Sequence, residues 1–123
     1  MRRILLVEDD YLAATDAEAA LLDAGFEVIG PAISAEEAIE LARTEMPELV
    51  IMDIRLTGPR DGIDAAREIL RSTGIRSLFA TAHSTSAIRN RAEETTPLGW
   101  LAKPYTPQAL VDSVRAALAK LGV

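Results

Sequence analysis

The chain has 123 residues, 49% of them hydrophobic and 26% charged, with no cysteine and a net charge of −6 at pH 7. That length suits one domain with a real core, and the lack of cysteine rules out disulfides and thiolate metal sites. The acidity argues against direct nucleic-acid binding, which needs a basic stripe, and no apolar run nears the ~20 residues of a membrane span.

The opening MRRILLVEDD has two arginines but only four apolar residues before its acids, too few for a secretory signal. A cytoplasmic location is therefore expected. Residues 4–7 form the first predicted strand, which runs straight into Glu8, Asp9 and Asp10. A helix follows over 10–24 and stops at Gly25. The second apolar run is short, 28–29. Ser34 followed by Glu37 has the form of a capping box. The helix it opens places Ala35, Ala38, Ile39 and Ala42 on one face and Glu36, Glu40 and Arg43 on the other.

The third strand, 49–52, ends in Asp53. Gly62 precedes a helix with Ile63, Ala66, Ile69 and Leu70 inward, closed before Gly74. The fourth strand, 78–80, delivers Thr81. The next helical stretch, 84–94, has Ile88 as its single large apolar residue, so thin packing and mobility are expected there. A weaker fifth strand at 100–101 leads to Lys103. Thr106 and Pro107 make an N-cap and first-turn pair for a last helix, with Leu110, Val111, Val114, Leu118 and Leu121 in register.

The apolar runs lack period-two alternation, as in strands buried on both faces of a parallel sheet. Five β–α units predict an α/β three-layer sandwich with right-handed crossovers. All loops that follow strands then share one edge, where ligands of open α/β folds bind. Glu8, Asp9, Asp53, Thr81 and Lys103 gather there. Two carboxylates ~4 Å apart repel by about 4 kcal/mol at an effective dielectric of 20, so the cluster calls for a cation. All-oxygen ligands suit Mg²⁺. Asp10 has a second reading, as an acid favoured by the helix dipole. A dinucleotide site is excluded, because three acids stand where phosphate needs glycines and backbone amides.

The acidic pair Glu8-Asp9, Asp53 after Leu-Val-Ile-Met, Phe79-Ala80-Thr81-Ala82 and Lys103-Pro104 follow one another in an order that resembles the receiver domain of two-component response regulators, over essentially residues 1–123. The resemblance implies a flavodoxin-like, five-stranded parallel sheet of order 2-1-3-4-5 with five helices. It implies that Asp53 is the phosphoacceptor, taking a phosphoryl group from a sensor histidine kinase or a histidine phosphotransfer protein. Asp9, Asp53 and the Arg55 backbone carbonyl would ligate Mg²⁺, with Glu8 acting through a water. Lys103 would bridge to Asp53 and then to a phosphoryl oxygen, Thr81 would hydrogen-bond the phosphoryl group, and Ala82 would offer its N–H. The Lys-Pro bond is usually cis in this family.

The resemblance also implies a switch in which Thr81 moves and an aromatic residue turns into the vacated space. That residue is Trp100, where the family usually has tyrosine or phenylalanine, and it reads equally as a partly buried anchor of the fifth strand. The face made by the fourth helix, fifth strand and fifth helix would dock a downstream protein; a homodimer is left open. The chain ends directly after the last helix, which suggests a stand-alone receiver.

Two departures stand out. Thr57 occupies the position four after the phosphoacceptor where receivers commonly carry proline, and Gly62 comes one residue late. The loop is therefore longer, with Gly58-Pro59 as its bend. His83 reads mainly as an exposed loop residue that shields or admits water, with base catalysis the sharper alternative, and the Arg55 side chain reads as a kinase-docking or water-shielding group. A pseudo-receiver binding module is the rival function, disfavoured because all acceptor-site residues are present. An aspartyl-phosphate hydrolase is disfavoured because Arg55 stands where those enzymes place a second aspartate.

Overall fold

The computed structural model describes residues 2–122. Five strands alternate with five helices: β1 (Arg3–Val7), α1 (Tyr11–Asp23), β2 (Glu27–Ala32), α2 (Ala35–Glu45), β3 (Leu49–Asp53), α3 (Gly62–Thr73), β4 (Ser77–Thr81), α4 (Ser86–Ala92), β5 (Gly99–Ala102) and α5 (Pro107–Lys120). The strands are parallel and ordered β2-β1-β3-β4-β5. The predicted three-layer sandwich and strand order are thus observed.

Strand alternation divides the core in two. Leu5, Val7, Val50, Met52 and Phe79 face α2, α3 and Ala92 of α4. Ile4, Leu6, Leu49, Ile51, Leu78 and Ala80 face α1 and α5. All of β3 and β4 is buried, which explains why their sequences carry no polar face. Register then sets the site: Val7 pairs with Met52, Asp53 with Ala80 and Thr81 with Ala102. The residues that follow β1, β3, β4 and β5 therefore emerge side by side.

Helix caps follow the sequence closely. Ser34 accepts a hydrogen bond from Glu37 N–H, but the Glu37 side chain accepts from Ile33 N–H instead of closing the box on Ser34 N–H; Thr106 accepts from Ala109 N–H. Ala35, Ala38, Ile39 and Ala42 are all buried, as the α2 pattern predicts. Within α5, Leu110, Val111, Val114 and Leu118 are buried while Leu121 is half-buried.

Some boundaries differ from expectation. β2 extends through Gly30 and Pro31 to Ala32, beyond the predicted 28–29. It is an edge strand, where a missing N–H costs no ladder bond, and its register shifts between Leu5 and Val7. α1 starts at Tyr11, not residue 10, because Asp10 is its N-cap. In α3, Ile63, Ala66 and Ile69 are buried as predicted, while Ala65 is buried as well and Leu70 is only half-buried. α4 is shorter than the predicted 84–94: Thr85 caps it, and a 3-10 turn (Glu93–Thr95) replaces its last turn. Ile88 is half-buried against the core, and Ala92 is the residue of α4 that is buried.

Candidate functional site

The three acids after β1 have three different fates. Glu8 turns inward and is 3% exposed, Asp9 stands on the rim, and Asp10 caps α1 by accepting from the N–H groups of Leu12 and Ala13. The dipole reading of Asp10 is the one observed at that position. Its own N–H donates to Glu8 Oε2 at 3.1 Å, which helps fix the buried carboxylate.

Asp53 ends β3 and is 6% exposed. Oxygens of Glu8, Asp9 and Asp53 all lie within 4.8 Å of one another. Lys103 reaches this cluster from beyond β5: Nζ donates to Glu8 Oε1 at 2.6 Å and to Asp53 Oδ2 at 3.4 Å. The lysine therefore bridges both carboxylates and sits closer to Glu8 than to Asp53. The Lys103–Pro104 peptide bond is cis.

The charges perturb one another. Burial, a hydrogen bond with Glu8 and the Glu8 charge push the Asp53 carboxyl up to about 7, with Lys103 pulling the other way. Burial works against the Lys103 ammonium, but Glu8 and Asp53 outweigh it and hold its pKa above the ordinary lysine value. Three carboxyl groups against one ammonium leave a cleft of about 290 Å³ short of positive charge. All the donors are oxygens, few in number and open to the cleft on one side, the set that suits a hydrated Mg²⁺. Arg55, Ala82 and His83 also line this cleft.

Thr81, at the end of β4, turns its hydroxyl to its own chain. Oγ1 accepts from His83 N–H at 3.1 Å and donates to the His83 carbonyl at 3.4 Å. Beside it lies a pocket of about 170 Å³ that Ser84, Arg89 and Trp100 help to line. Trp100 is half-buried and stacks on Phe79, with ring centroids 4.9 Å apart. The Arg89 guanidinium lies over the Trp100 ring at 4.8 Å, a favourable cation–π arrangement. Arg89 Nε also donates to Ser84 Oγ at 2.8 Å.

The loop between β3 and α3 is braced at several points. The Thr57 hydroxyl donates to Asp9 Oδ2 at 3.3 Å, and Thr57 pairs with Ser34 in a parallel bridge. Arg60 Nε donates to Glu36 at 2.9 Å. Asp61 caps α3 in a reciprocal capping box with Asp64. Arg91 of α4 grips Asp61 with two hydrogen bonds, 2.6 and 2.9 Å, and Asp64 with a third at 3.0 Å.

Sequence reasoning did not foresee these arginine contacts. Arg89, Arg91 and Arg60 lie on polar faces, where a charge reads as solvated until its partner is known. The capping signal Asp61…Asp64 was readable, since an acid before Gly62 is followed three residues later by another.

The model of the response regulator receiver domain matches residues 4–115. The chain belongs to this family. The transcriptional regulatory protein PdtaR of Mycobacterium tuberculosis H37Rv is 35% identical over 119 residues, covering 97% of this chain and 58% of the relative. The response regulator UvrY of Escherichia coli K12 is 30% identical over 118 residues, covering 94% and 54% respectively. The chain thus spans about half the length of these curated relatives. Among solved structures, the signal receiver domain of a modulated diguanylate cyclase from Desulfovibrio desulfuricans G20 superposes with a TM-score of 0.89 at 31% identity, covering 98% of this chain and 95% of that one. Receiver domains are phosphorylated on aspartate and generally bind Mg²⁺ through acidic residues. Among the described residues, no helix is long and apolar enough to cross a membrane.

Proposed function

We propose that this receiver takes a phosphoryl group on Asp53 from the phosphohistidine of a sensor histidine kinase or histidine phosphotransfer protein. A carboxylate oxygen of Asp53 attacks phosphorus, the P–N bond breaks, and the imidazole leaves with the bonding pair and picks up a proton. The observation that carries this reading is the placement of Asp53: buried at a strand end, 3.4 Å from the Lys103 ammonium, and beside two further carboxylates.

Asp9, Asp53 and the Arg55 carbonyl are the groups that would hold Mg²⁺, with Glu8 acting through a water. The ion would neutralise charge on the phosphoryl oxygens. Lys103 supplies a second positive charge to those oxygens. Its tight pairing with Glu8, at 2.6 Å, keeps it in the cleft while Asp53 exchanges partners. Ala82 offers its backbone N–H to the phosphoryl group.

The phosphorylated state competes for Thr81. Its hydroxyl gives up the contacts with His83 and turns to the phosphoryl oxygens, which enlarges the pocket beside Trp100. Trp100 then serves as the switch aromatic, with Arg89 as its lid. The face of α4, β5 and α5 changes shape and docks a downstream protein. The thin packing of α4 supports this assignment.

Intact mass after incubation with acetyl phosphate, with and without Mg²⁺, tests the reading. A single phosphoryl addition is expected in the wild type with Mg²⁺ and none in Asp53→Asn. If phosphorylated kinases also fail to modify the wild type, the phosphoacceptor reading fails and a binding module replaces it.

A further inference from the structure

We propose that Thr57 is a positioning residue for Mg²⁺, holding the Asp9 carboxylate in its binding orientation through the side-chain hydroxyl. The inference rests on the reading of Asp9 as a Mg²⁺ ligand. Each other acid of the site has more than one anchor or a charged partner. Glu8 is fixed by Lys103 and Asp10 N–H, Asp53 by burial and Lys103, and Asp10 by two helix N–H groups. Asp9 is exposed, and the Thr57 hydroxyl is its carboxylate's one hydrogen-bond partner among the described residues.

Thr57 is itself held in place. Its backbone bridges to Ser34, the N-cap of α2, and Leu56 packs against the core beneath the loop. Further along, Arg60 pairs with Glu36 of α2 at 2.9 Å. The lengthened loop therefore leans on the start of α2 and brings a hydroxyl over the acidic rim. A proline at this position could not supply that donor. The Thr57 hydroxyl donates to Asp9 Oδ2, and a carboxylate oxygen of Asp9 lies within 4.8 Å of those of Glu8 and Asp53.

Hydrogen bonds to a ligating carboxylate fix its orientation, and losing one typically weakens metal binding 10–100-fold. At 3.3 Å this bond is long and its surroundings are wet, so the lower end applies. The test is calorimetric titration of Mg²⁺ into the wild type, Thr57→Val and Thr57→Ser, with phosphorylation by acetyl phosphate followed in parallel. Thr57→Val should raise the Mg²⁺ dissociation constant about tenfold. It should also shift the Mg²⁺ concentration for half-maximal phosphorylation without lowering the rate at saturating Mg²⁺. Thr57→Ser should bind within about twofold of the wild type, because serine keeps the donor.

Equal affinity in Thr57→Val and wild type overturns the inference. So does a Thr57→Ser variant as weak as Thr57→Val, because serine keeps the donor and the weakening could then not be assigned to the hydroxyl. A wild type that binds no Mg²⁺ removes the parent reading and this inference together.

Discussion

α3 and α4 pack on the same face of the sheet but are held there by different forces. α3 buries Ile63, Ala65, Ala66 and Ile69 along a continuous apolar stripe. α4 buries Ala92 and leans on a half-buried Ile88; otherwise it is tied down by arginines, Arg91 to Asp61 and Asp64, and Arg89 to Ser84 and Trp100. Burial of an aliphatic side chain stabilises by about 1.5–3 kcal/mol and involves no charge for salt to screen. Partly exposed ion pairs contribute about 0–1 kcal/mol each and are screened. The fold thus places a fixed helix next to the phosphoacceptor loop and a releasable one next to the proposed output face.

The largest effect is expected from the fixed helix. Ile69→Ala should cost about 2–5 kcal/mol in global stability, read by urea unfolding, with all protected amides losing the same amount. Equal cost from removing Ile88 would erase the distinction between the helices.

The acidic site at the strand ends gives a pH signature. Without divalent cations, folded Asp53 keeps its proton to about 7, while in the unfolded chain it is released near the ordinary value of 3.8. Over that window the folded state binds more protons, so stability falls as pH rises. Asp53→Asn should remove that fall and melt higher than wild type at pH 8 in EDTA, by a margin on the order of 3 kcal/mol. The advantage should disappear near pH 4. A variant no more stable at pH 8 would mean that Lys103 already compensates the charge.

Smaller effects separate α4 from the rest. Arg91→Gln should lower global stability by no more than about 1 kcal/mol, yet raise hydrogen exchange in α4 several-fold while leaving α3 unchanged. Smallest of all, 1 M NaCl shortens the screening length to ~3 Å and should speed α4 exchange in the wild type but hardly at all in Arg91→Gln. Salt-insensitive α4 amides would place its stability in Ile88 and Ala92 instead.

The parts of the molecule that were legible in sequence are those built by burial. The runs 4–7, 49–52 and 78–80 carry their strand assignment in apolarity, and Asp53, Thr81 and Lys103 are marked by standing where those runs or their neighbour end. β2 was underestimated because Gly30-Pro31 carries a turn signal that an edge strand tolerates. α4 was overextended because helical pattern persists to residue 94, whereas the chain tightens into a 3-10 turn once Ala92 is buried. The Glu8–Lys103 pair, 95 residues apart in sequence, and the Arg91–Asp61 grip depend on which long side chains meet, and periodicity holds no record of that.

Gly62 has a consequence for how such chains change length. A Cβ at this position would lie 1.9 Å from the Asp53 carbonyl oxygen, and its N–H already donates to the Ile54 carbonyl at 2.7 Å. The segment 55–61 therefore leaves and returns to nearly the same point. Residues can be added within such an excursion at little entropic cost, since each doubling of a loop adds only about 0.6 kcal/mol. Neither the acceptor strand nor the start of α3 has to move when that happens. Natural or engineered variants can then exchange what overhangs the acidic rim, a hydroxyl here, as an independent part grafted onto an unchanged frame.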